Sequence, residues 1–162
     1  MTASVASGTA TGLGSDQLRG IEGISGSPHG DRLTGDAGDN VLLGQRGSDR
    51  LDGLGGADLI SGTEGNDAMN GGPGADLAFY ANSPHAVHVD LAKRVATGWG
   101  RDRLRSFEDV VGSRHADRIF GSKAANYLWG LGGADVIHGR GGRDHAFGGP
   151  AGTPAAEVRS GC

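Results

Sequence analysis

A chain of 162 residues has room for one ordinary domain or one short solenoid. Glycine supplies 33 residues and aromatic residues only 5% of the chain, which excludes a conventional packed core; the lack of a Gly-X-Y triplet excludes collagen. The formal charge of −4 combines 15 Asp and only 4 Glu with cations that are nearly all Arg and scattered, so no basic stripe for nucleic acid is expected.

The first segment, 1–25, reads as a lead-in or N-terminal cap. Its start, MTASVASGTATGLGSDQ, has neither a basic nor an apolar signal region, so a Sec signal peptide is not expected. No apolar stretch approaches the length of a transmembrane helix. From Gly26 the chain divides into six consecutive nines: GSPHGDRLT, GDAGDNVLL, GQRGSDRLD, GLGGADLIS, GTEGNDAMN and GGPGADLAF, which define a first block over 26–79. A connector follows over 80–111, where Val87, Val89 and Leu91 alternate with His88 and Asp90 as in a half-buried strand. A second block over 112–149 holds four more nines: GSRHADRIF, GSKAANYLW, GLGGADVIH and GRGGRDHAF. The tail 150–162 has lost the pattern and ends on the single cysteine, Cys162, which can form no internal disulfide.

The columns of the repeat are tightly constrained. The first position is Gly in all ten nines, and the fourth is Gly except at His29, His115 and Ala124. The sixth is Asp in eight and Asn at Asn40 and Asn126; the eighth is always apolar. A longer repeat lies above this one. Residues 10–62 match 96–148 at a constant offset of 86 with 24 identities, so the chain is two copies of a lead-in followed by nonapeptides.

Nine residues suit a six-residue turn and a three-residue strand. Two glycines supply turn conformations that a Cβ resists, and the strand points its middle residue inward and its flanking residues outward. Two nines complete one flattened coil, strands stack in parallel, and the eighth residues fill a core one side chain thick. The fold expected is all-β, a right-handed parallel β-roll. Successive turns alternate between its edges, so Asp31, Asp49 and Asp67 stack on one edge and Asn40, Asp58 and Asp76 on the other. In the second block Asp117 stacks with Asp135 and Asn126 with Asp144. Carboxylates about 4.8 Å apart repel unless a cation lies between them. Calcium, which takes six to eight oxygen ligands, fits, with turn carbonyls completing the shell. The metal site expected is these ten residues together with the turn glycines Gly44, Gly47, Gly53, Gly56, Gly62, Gly65, Gly71 and Gly74.

The nonapeptide resembles GGxGxDxUx, the hemolysin-type calcium-binding repeat of the RTX family. The lead-in is similar to that family's spacers through Val89-Asp-Leu91, Ala96-Thr-Gly98, Asp102-Arg-Leu104 and Phe107-Glu-Asp109. The resemblance spans about 9–149 and implies a β-roll that folds on binding several Ca²⁺ ions after export through a type I secretion apparatus. An extracellular location reached without a Sec signal follows from it. The chain departs from the pattern at the second position, where only Gly72 keeps the glycine, and at Asn40 and Asn126, which lack the charge and should bind weakly.

Other chemistries have less support. The sequence contains no HExxH, no GxxxxGK[ST] and no GxSxG, so no catalysis, zinc or phosphate site is expected and the chain is read as a non-enzyme. The function expected is calcium binding by a folding module. The alternatives are the C-terminal module of an extracellular protease, lipase or epimerase, and a calcium-dependent adhesion or matrix protein. Outward positions look mostly polar in the first block, whereas Phe120, Tyr127, Trp129 and Phe147 point outward in the second. That face is expected to be covered by the tail or connector, or else to serve self-association or polysaccharide binding.

Overall fold

The computed structural model describes residues 1–12 and 14–149 and the backbone of 157–159; the expectations for the rest of the tail and for Cys162 lie outside the described residues. No helix occurs among them. Each nonapeptide places its last three residues on a strand. The first block supplies β5 (Arg32–Thr34), β6 (Val41–Leu43), β7 (Arg50–Asp52), β8 (Leu59–Ser61), β9 (Ala68–Asn70) and β10 (Leu77–Phe79). The second supplies β15 (Arg118–Phe120), β16 (Tyr127–Trp129), β17 (Val136–His138) and β18 (His145–Phe147), with β19 (Glu157–Arg159) beyond it.

Alternate strands go to alternate sheets, as two nines per coil require. β5, β7 and β9 pair in parallel, with Leu33, Leu51 and Met69 in register. β6, β8 and β10 do the same in the facing sheet through Leu42, Ile60 and Ala78. The eighth residues Leu33, Leu42, Leu51, Ile60, Met69, Ala78, Ile119, Leu128 and Ile137 are all buried and form the core; Ala146 packs against it, partly buried. At 25 cal/mol per Å² each such side chain contributes only about 2 kcal/mol. The core is one layer of them, so the turns matter unusually.

The lead-in and the connector have the same topology. The lead-in contains β1 (Thr2–Ser4), β2 (Thr9–Thr11), β3 (Ser15–Gln17) and β4 (Gly23–Ser25); the connector contains β11 (His88–Asp90), β12 (Val95–Thr97), β13 (Arg101–Arg105) and β14 (Asp109–Val111). In each, the first three strands form an antiparallel meander. The connector meander is spliced into the larger sheet: β13 pairs in parallel with β9, and β11 with β15. β14 continues the smaller sheet between β10 and β16. The result is a twelve-stranded sheet facing a seven-stranded one.

The outward residues correct the sequence reading in two ways. In the first block Val41, Leu43, Leu59, Leu77 and Phe79 all face outward on the smaller sheet, so that face is apolar rather than polar. The aromatic residues of the second block are divided between the sheets. Tyr127, Trp129 and Phe147 lie on the smaller sheet, with Tyr127 stacked on His145 at 4.7 Å and Trp129 on Phe147 at 5.5 Å. Phe120 lies on the larger sheet between His88 and His138. Tyr127 and Phe147 are 43% and 48% exposed, so the connector does not cover them; the expectation that the tail does so lies outside the described residues.

Candidate metal centre

The sixth residues form continuous ladders along both edges. In one, Asp49, Asp67 and Asp102 each accept, through Oδ1, the backbone N–H of the preceding member: Asp31, Asp49 and Asp67, at 2.8, 2.9 and 3.1 Å. In the other, Asp58 accepts from Asn40, Asp76 from Asp58 and Glu108 from Asp76. The second block repeats the arrangement, Asp135 accepting from Asp117 and Asp144 from Asn126. The stacking two units apart is therefore present, and each carboxylate spends one oxygen on the turn behind it.

The second oxygen divides the turns into two kinds, and the second residue of the nonapeptide decides which. Where that residue is Ser27, Asp36, Ser113 or Ser122, its N–H closes onto the sixth side chain of the same turn, Asp31, Asn40, Asp117 or Asn126, at 2.5 to 2.7 Å. Where it is Gln45, Leu54, Thr63, Gly72 or Leu131, its φ is positive. A positive φ there accompanies a turned peptide whose N–H no longer faces the carboxylate. In those five turns Oδ2 of Asp49, Asp58, Asp67, Asp76 and Asp135 is buried with no hydrogen-bond partner. An orphaned carboxylate oxygen in the interior is costly, on the order of several kcal/mol if charged.

Burial accordingly raises the pKa of these groups. Asp67 is pushed up to about 7 and Asp49 and Asp76 to about 6, by desolvation first and by neighbouring carboxylates second, against the lowering effect of the ladder hydrogen bonds. Asp58 and Asp135 are raised for the same leading reason.

These oxygens face space that only glycine leaves open. A Cβ on Gly53 would overlap both Asp58 Oδ2 and the carbonyl oxygen of Gly71; one on Gly44 would meet Asp49 Oδ2 and the Gly62 carbonyl. Gly62 and Gly71 likewise back onto Asp67 and Asp76. The first-position glycines thus border cradles of carboxylate and carbonyl oxygen, the donor set of a hard divalent cation. Gly47, Gly56, Gly65 and Gly74 differ: all have positive φ, and a Cβ on any of them would overlap the backbone of the turn behind it. Among the described residues no three His, Cys, Asp or Glu side chains converge as a metal cluster, so backbone oxygens are essential to any such site. The residues present fit Ca²⁺ at the five open turns. At the closed turns Asp31, Asn40, Asp117 and Asn126 already have internal donors. Asp144 is only partly buried, although Arg140 before it has positive φ.

Three participants escaped the sequence reading because they lie outside the nonapeptide frame or depart from it. Asp102 takes the ladder place after Asp67 and accepts a hydrogen bond from the hydroxyl of the fully buried Tyr80 at 2.8 Å. Glu108 ends the other ladder. Asp90, buried on the connector, is held by the Arg140 guanidinium through two hydrogen bonds of 2.7 Å, while Arg140 also donates to the Gly121 carbonyl at 3.0 Å and lies over Phe120. Burial opposes ionisation of Asp90, but the bonds from Arg140 and Lys93 outweigh it and hold its pKa below the usual range.

No curated protein matches the chain. The family model for the RTX calcium-binding nonapeptide repeat, built of four copies, matches residues 25–60, 43–78 and 111–146, more than half of the sequence, and the matched segments contain all five open turns. The chain belongs to the RTX calcium-binding nonapeptide repeat family.

Proposed function

We propose that this chain is a calcium-dependent folding module whose ions bind at the five open turns, through Asp49, Asp58, Asp67, Asp76 and Asp135 and the neighbouring glycine carbonyls. The observation that carries this reading is the set of five buried carboxylate oxygens without partners. Bound calcium supplies the positive charge and oxygen affinity that this set lacks. Without it, repulsion between stacked carboxylates and the conformational entropy of a glycine-rich chain act against a core one side chain thick. Binding free energy then becomes folding free energy.

The module is non-catalytic in this reading. Its folded state belongs where calcium is abundant, outside the cell, and type I export of the unfolded chain is consistent with the family. The apolar outer face of the smaller sheet, from Val41 to Phe147, favours attachment to another protein surface, whether a second roll or an enzyme domain of the same polypeptide.

The deciding experiment is far-UV circular dichroism during a calcium titration from EGTA to about 10 mM, with magnesium in parallel. A cooperative gain of β signal with calcium alone is expected. A folded spectrum in EGTA that calcium leaves unchanged would overturn the reading.

A further inference from the structure

The outer face of the larger sheet carries a cationic trough beside the ladder residues Asp67 and Asp102. Its floor is Ala68, which sits in register between Arg50 on β7 and Arg103 on β13. Arg50 and Arg103 are therefore two strands, about 10 Å, apart with a methyl group between them. Arg101 and Arg105 flank Arg103 because β13 alternates outward Arg with buried Asp102 and Leu104, and Lys93 and Arg94 close the far side. The depression encloses about 900 Å³. Sequence alone presented these cations as scattered; the fold gathers six of them on a chain of net charge −4.

Their counter-ions are nearly absent. Among the described residues Arg50, Arg94, Arg101, Arg103 and Arg105 form no salt bridge, and Lys93 reaches only Asp90, which Arg140 already holds. Three acids line the trough: Asp52 accepts a hydrogen bond from Asn70, and Asp67 and Asp102 are buried members of the ladder.

The internal duplication shows that the hairpin does not need these charges. At the offset of 86, Lys93, Arg94, Arg101 and Arg103 correspond to Ser7, Gly8, Ser15 and Gln17 of a meander with the same topology. Arg94 is the most telling of them. Its φ is 60°, and Gly8 has 64° at the matching place, so the second copy puts an arginine where the backbone favours glycine.

We propose that this trough binds a linear acidic polysaccharide, with its carboxylate or sulfate groups held by Arg50, Arg94, Arg101 and Arg103. Guanidinium groups suit both anions through paired N–H donors. The lining has no aromatic ring on which a nucleic-acid base could stack and no protruding apolar side chain to enter a lipid layer.

The test is isothermal titration of the calcium-loaded chain with a size-defined chondroitin sulfate oligosaccharide at low salt. A single-stranded oligodeoxynucleotide of equal charge, phosphatidylglycerol vesicles and neutral dextran are titrated alongside. Saturable binding is expected for the sulfated saccharide, weakened at least tenfold in the variant Lys93→Ser/Arg94→Gly/Arg101→Ser/Arg103→Gln, which has the residues of the first copy. The calcium titration by circular dichroism should be the same for both proteins, which separates this site from the calcium reading. Should the variant fail to fold, hydrogen exchange of the wild type decides: added saccharide must slow exchange at Ala68–Asn70 and Arg101–Arg105. No saccharide binding, equal binding by the folded variant, protection elsewhere, or tighter binding of the oligonucleotide or vesicles would each overturn the proposal.

Discussion

The two blocks share one nonapeptide but handle its buried charge differently. In the first, the opening turns at Asp31 and Asn40 are closed by Ser27 and Asp36, and the remaining four leave Asp49, Asp58, Asp67 and Asp76 with orphaned oxygens. In the second, the opening turns are again closed, by Ser113 and Ser122, but only Asp135 is orphaned. There Arg140 brings a cation of the chain itself, bonded to Asp90 and to the Gly121 carbonyl, and aromatic stacks line both outer faces. On the proposed reading the first block leaves its buried carboxylates to an external ion, whereas the second brings a guanidinium to a buried carboxylate of the connector, so the first should depend on calcium more than the second.

The largest effect expected is from calcium removal. In EGTA, hydrogen exchange followed by mass spectrometry should show strands β6 to β10 losing protection well before β11, β15 and β17. Uniform loss along the chain would break the comparison.

Acid is the next lever, and its sign follows from the raised carboxylates. A group whose folded pKa lies above its unfolded value stabilises the fold fully below the unfolded pKa and loses that contribution as pH rises through the folded one. For Asp67, at about 7 against 3.8, this amounts to about 4 kcal/mol between the extremes. The calcium-free roll should therefore gain stability as pH falls from about 7 towards 4, with little further change from these groups above 7. Far-UV circular dichroism in EGTA at pH 5 and pH 8 checks this, with more β signal expected at pH 5. A β signal no greater at pH 5 would mean that the orphaned oxygens find other partners.

Asp90→Ala should cost roughly 3 kcal/mol by leaving the Arg140 guanidinium unpaired, and the loss should fall on the second block. Urea melts combined with exchange rates for β15 and β17 measure it; an equal loss in β5 to β8 would contradict the division of roles. The smallest effect is expected for Tyr80→Phe, which removes the donor to Asp102 and should cost about 1 to 2 kcal/mol. Its signature would be weaker calcium affinity at the Asp67 turn, where the first block meets the connector.

Much of this was legible in the residues. The period of nine, the inward eighth position and the alternation of turns between edges follow from strand and turn geometry, and the structure places Leu33, Leu51 and Met69 in one column as that geometry requires. The aspartate ladders were legible for the same reason. The distinction between open and closed turns was only half legible. Ser27, Asp36, Ser113 and Ser122 stand at the second position in plain view, but whether their N–H reaches the sixth side chain depends on the orientation of one peptide.

Sequence alone determined the β-roll, its thin core and its family, because those rest on local periodicity repeated ten times. Only the tertiary structure decided which aspartates lack a partner, that Asp102 and Glu108 complete the ladders, that Arg140 reaches Asp90, and that arginines from two distant segments meet over Ala68. The last three join residues 32 to 53 positions apart across separate coils or a spliced meander. A one-dimensional pattern has no period for such pairs; the stacking of coils creates them.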